Sequence, residues 1–173
     1  RDIDLSGLYR GIQLLSCRDV QMEKLDIRNC LKQGLQIAGS QRISINGSMI
    51  TECQGIGIEA ESDFITLENL TLRRNAVGLL TDGFVIKITL MNSVLSNNSD
   101  SGFQMNRGRT GIIHNNEFNE NGEVGAHVDG FEVVVGDNEF SGNGEFNLIL
   151  TGDNLDLFRN NFKGSKTGVY MSC

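Results

Sequence analysis

Glu61, Asp82, His127 and Asp129 are the side chains of this 173-residue chain whose types and spacing could do chemistry together. Two carboxyls can share acid and base duties in glycoside cleavage, at about 5–5.5 Å for retention or about 6.5–9.5 Å for inversion. Like charges that close also raise one carboxyl's pKa, which makes a proton donor. His127 precedes Asp129 by two residues, so on a strand both point the same way, and the acid can make the imidazole a better base. Glu59, Asn106 and Arg107 would support substrate, with Arg107 placed to neutralise a carboxylate as a lyase or epimerase requires. Glu59, Glu61 and Asp82 could instead hold Ca2+; no other metal or cofactor is expected. The plainest account is a solvated acidic face with no chemistry at all.

These residues are far apart in the chain, so a regular support must bring them together. A repeat supplies it. Residues 45–60, 67–82, 90–105 and 113–128 align with the same order of apolar residue, polar pair, apolar residue, turn and glycine-led alternation. The column Ile27, Ile50, Leu72, Leu95, Phe118, Phe140, Phe162 steps by 22 or 23 residues, as does Met22, Ile45, Leu67, Leu90, Ile113, Val135, Leu157. Between the columns the period is two, as in Val20-Gln21-Met22, which is strand patterning. Such a unit has room for three short strands and three turns, not for a strand and a helix. The chain is therefore expected to be all-β, a single parallel solenoid domain over residues 1–173 with about seven coils. Cys30, Cys53, Asn75, Asn98, Asn121 and Asn143 fall at one position of the unit and predict an internal ladder. Gly11, Gly34, Gly57, Gly78, Gly102, Gly125 and Gly168 open the next strand, with Asn147 in the one gap.

Alternation after that glycine sends Ile58, Ala60, Leu79, Thr81, Phe103, Met105, Ala126 and Val128 inward. It sends Glu59, Glu61, Asp82, Asn106, His127 and Asp129 to one outer face within four coils, the densest polar cluster of the repeat. Glu61 and Asp82 then sit one coil apart, roughly 5 Å, and Asp82 and Asp129 two coils apart, roughly 10 Å.

The repeat, its asparagine rungs and its glycine column resemble the right-handed parallel β-helix superfamily, the pectate lyase-like group that includes polysaccharide lyases, epimerases and phage tailspikes. The resemblance covers almost the whole chain and implies the hand of the coil. It also implies an extracellular or surface-associated module that binds, and cleaves or epimerises, a polysaccharide or oligosaccharide. Whether the chain is an enzyme stays open, because the same fold serves as a non-catalytic structural or protein-interaction scaffold. The Asp-Pro-His-Asp signature of alginate epimerases is absent, since the chain has no proline. Aromatics are only 6% of the residues, leaving Tyr170 as the one expected sugar platform. Partial coils at both ends suggest a module of a larger protein, with a flanking domain or a homo-oligomer covering them.

Charge narrows the partners. Residues 1–42 carry seven Lys/Arg against five Asp/Glu, net +2, and the remainder carries the rest of a total of −7. Nucleic acid is not an expected partner of so acidic a chain, and no apolar run reaches the ~18 residues of a membrane span. Cys30 and Cys53 should stack one coil apart as free thiols or as a disulfide, and none of the four cysteines has zinc-ligand spacing. His114, beside Asn115 and Asn116, is expected simply to be exposed.

Overall fold

Apolar residues at every second position make half-buried strands, and the repeat lays each strand against its counterpart one coil later. The computed structural model describes residues 3–83 and 85–173, and among them there are strands and turns but no helix. The chain winds as a solenoid with three faces. The first face is an eight-stranded sheet of Ile3–Ser6, Leu25–Arg28, Met49–Thr51, Thr71–Arg73, Val94–Ser96, Glu117–Asn119, Glu139–Ser141 and Asn161–Lys163. The second and third faces form one twelve-stranded sheet, because Leu35–Asn46, Ser101–His114 and Val124–Gly136 run unbroken around the corner between them.

Both apolar columns lie in register, with Ile27 opposite Ile50 and Leu95 opposite Phe118 in one, and Ile45 opposite Leu67 and Ile113 opposite Val135 in the other. They fill the interior. Ile27, Ile50, Leu72, Leu95, Phe118 and Phe140 are wholly buried, and each such side chain contributes ~1.5–3 kcal/mol. Phe118, Phe140 and Phe162 stack at 4.8 and 5.0 Å between ring centroids, the spacing that neighbouring strands impose.

The asparagine ladder is present, and it is double. Asn75, Asn98, Asn121 and Asn143 are buried, and each accepts the backbone N–H of the rung before it: Cys53 to Asn75 at 3.0 Å, Asn75 to Asn98 at 3.1 Å, Asn98 to Asn121 at 3.2 Å and Asn121 to Asn143 at 3.0 Å. Asn147 closes this ladder by accepting from Asn143 Nδ2 at 2.9 Å. A second ladder runs through Ser93, Asn116, Asn138 and Asn160 at the opposite corner of the first face. Left-handed backbone and ladder bonding do not fall on the same asparagine. The left-handed residues are those just before the rungs: Arg74, Asn97 and Glu120 in one column, Asn92, Asn115, Asp137 and Arg159 in the other. The bend turns the chain, and the next residue then points its amide inward. The glycine column reflects close approach instead: a Cβ on Gly102 would lie 2.5 Å from the Gly125 carbonyl oxygen.

Candidate functional site

The corner between the second and third faces decides where the predicted site residues go. Two residues, Ala38 and Gly39, lie between the paired positions Ile37 and Ser40, against the single Glu61. In the same way Asn106 and Arg107, between Met105 and Gly108, oppose the single Asp129. These are β-bulges, and each adds the extra residue that makes a 23-residue coil out of a 22-residue one. The second bulge residue takes left-handed backbone, with φ of 57° at Gly39 and 58° at Arg107. A bulge re-aims the side chains around it.

Five of the predicted site residues line two shallow grooves, Glu59, Glu61 and Asp82 in one and Arg107 and Asp129 in the other, while Asn106 and His127 line neither. Glu59, Glu61 and Asp82 line the first, with Gln36 and Gly83, around about 280 Å³. Gln33 Nε2 and Gln36 Nε2 donate to Glu59 Oε2 at 2.8 and 3.0 Å, so this carboxylate is already engaged. Asp82 Oδ1 accepts the Gly83 N–H at 3.0 Å, turning its carboxylate back onto its own bend. Among the described residues no three acidic, histidine or cysteine side chains converge as metal ligands, so the calcium expectation for Glu59, Glu61 and Asp82 finds no support.

Arg107, Asp129 and Asp153 line the second groove, also about 280 Å³, with Phe131 beside them. Its floor is a stack of Gly108, Gly130 and Gly152 from three successive coils. Phe131 is 47% exposed, an aromatic face open to solvent at a groove edge. The residue pattern overlooked it, although the glycine stack recurs every 22 residues and was there to be read. Tyr170 is also exposed, its ring 6.4 Å from that of Phe146, and it lies outside both grooves.

His127 is half-buried between Gln104 and Ile149 in the register. Strand rise keeps it ~6.6 Å from Asp129 along the backbone, and no ion pair joins the two among the described residues. His114 is the histidine that meets an acid. Its Nε2 lies 2.6 Å from Asp137 Oδ2, and Arg159 Nε and Nη2 hold the same carboxylate at 2.6 and 2.7 Å. Those bonds from Arg159 are the main reason the Asp137 carboxyl is held below the usual range; burial opposes them and His114 adds to them. Neighbouring Asn116 is a buried rung of the second ladder.

Cys30 and Cys53 are buried free thiols, and each donates weakly to the carbonyl two residues back, Arg28 at 3.8 Å and Thr51 at 3.7 Å. Burial in the apolar interior pushes the Cys53 thiol upward.

A family model described as a right-handed β-helix region matches residues 10–162, and the chain belongs to that family. No curated protein and no solved structure matches it.

Proposed function

We propose that this β-helix is a polysaccharide-binding module that acts outside the cell or on a surface. The observation that carries the reading is Phe131, an exposed ring beside Asp129, Asp153 and Arg107 over a glycine floor. A sugar presents an apolar face to such a ring and hydroxyls to the surrounding charges. Carboxylates dominate both grooves, which favours a neutral chain over a uronate. Glu61, Asp82 and Asp129 serve this reading as hydrogen-bond acceptors for hydroxyls. His127, Asn106 and Arg107 extend the same surface.

Affinity electrophoresis through neutral and acidic polysaccharides, with a reducing-end assay on the same samples, tests it. Retention by a neutral glycan without release of ends is expected, and Phe131→Ala should weaken it by about tenfold. Release of ends abolished by Asp82→Asn or Asp129→Asn would replace binding with hydrolysis or elimination. No retention by any glycan would overturn the reading. A scaffold would then be favoured, and one observation speaks for it: the coils keep to 22–23 residues, with no long loop to wall a cleft among the described residues.

A further inference from the structure

Another concavity lies at the corner between the third and first faces and encloses about 450 Å³. Equivalent positions of four successive coils line it, so it runs along the rod. Its two walls differ. Along one lie Asn92, Asn115, Asp137 and Arg159, all with left-handed backbone, φ 49 to 55°. Along the other, Glu117 and Glu139 stand opposite each other in the register.

The hydrogen bonds already made here set what a ligand would meet. Asn115 Nδ2 donates to Asn92 Oδ1 at 2.7 Å, which orients both amides and leaves the Asn92 NH2 and the Asn115 carbonyl oxygen for a ligand. Arg159 is fixed through Nε and Nη2 on Asp137, with its guanidinium 4.8 Å from the centroid of the Phe158 ring, so Nη1 remains. A Cβ on Gly136 would collide with Phe158, so the absence of a side chain there lets this ring lie flat beside the corner. The groove therefore offers fixed donors and acceptors in alternation, with Val94 as an apolar patch between them. Lys163 Nζ lies 3.8 Å from Glu139 Oε1 and Asp137 already neutralises the Arg159 guanidinium, so Glu117 leaves the corner with a net negative charge that disfavours phosphate and carboxylate ligands.

We infer that this corner groove is a second binding site for a neutral, polyhydroxylated oligosaccharide, formed by Asn92, Asn115, Glu117, Glu139 and Arg159. Hydroxyls both donate and accept, so a run of them matches the alternation. The inference rests on the glycan reading above and adds a second site on another corner of the rod. Two sites on one rigid body would bind a long polymer with far higher avidity than either alone.

Backbone-amide NMR of the intact chain, titrated with neutral oligosaccharides of four to eight sugars, reads the two sites separately. Two groups of resonances should shift, one around Arg107 to Phe131 and one around Asn92 to Val94 and Asn115 to Glu117. Phe131→Ala should silence only the first group. Val94→Trp, which fills the corner from an outward strand position, should silence only the second. Shifts confined to the Phe131 groove would overturn the second site and leave the first reading standing. Shifts confined to the corner would uphold the second site and remove the first. Corner shifts that answer only to sulfated or phosphorylated oligosaccharides would overturn the assigned ligand class, and silence in both places would overturn both readings.

Discussion

Asn98 Nδ2 donates to Asn121 Oδ1 at 3.0 Å, so two side chains 23 residues apart share one hydrogen bond in the interior of the rod. The same amide donates to the Leu72 carbonyl at 3.2 Å, and its oxygen accepts the Asn75 N–H. Asn98→Leu strands these buried partners and should cost on the order of 1–3 kcal/mol, lowering Tm by roughly 2–4 °C per kcal/mol. Asn97→Gly is the control: that residue is exposed with φ 56°, where glycine fits, and it should change stability by less than about 0.5 kcal/mol. Equal melting temperatures for Asn98→Leu and the parent would refute the ladder's energetic role.

The glycine column makes a contrast within one position of the repeat. Alanine at Gly102 would press its Cβ to 2.5 Å from the next coil's carbonyl oxygen and 2.9 Å from Asn121 Nδ2. A loss of about 1–3 kcal/mol is expected, because backbone must move. At Gly168 the nearest atom is Phe162 Cβ at 3.9 Å, so Gly168→Ala should be tolerated. Chemical denaturation of both variants decides it, and similar midpoints would contradict the close-approach argument.

Thr81 faces inward in the strand Leu79–Thr81, between Ala60 and Met105, and its hydroxyl is buried without a partner among the described residues. Valine has nearly the same shape and no hydroxyl to desolvate. Thr81→Val should raise stability by roughly 1 kcal/mol, whereas Thr81→Ser should lower it. A lower melting temperature for the valine variant would mean that the hydroxyl has a partner in solution.

Asp137 ties stability to pH. Its folded carboxyl lies below its ordinary value, chiefly through the Arg159 hydrogen bonds. A depressed carboxyl stabilises the fold above its unfolded pKa, and that contribution disappears as pH falls through the lower folded value. Unfolding free energy measured from pH 6 to pH 2.5 should therefore drop more steeply for the parent than for Asp137→Asn below about pH 4. Parallel curves would show that the ion pair contributes nothing.

The coil, its register and its inner columns were legible without coordinates. A strand's period of two fixes which side chains go inward, and a 22–23-residue step fixes which residues stack, so Ile27 had to meet Ile50 and Asn98 had to meet Asn121. Only the folded chain decided what happens at the corners. One extra residue opposite Asp129 gives Arg107 left-handed backbone, and the predicted carboxylates fall in two grooves that Asn106 and His127 do not line. Nothing in the letters Asn-Arg marks a left-handed bend, because the neighbouring coil imposes it and the local preference opposes it. The bend at Asp137 likewise brought His114 to that carboxylate, because side-chain reach at a corner depends on backbone angles that only the stacked coils set.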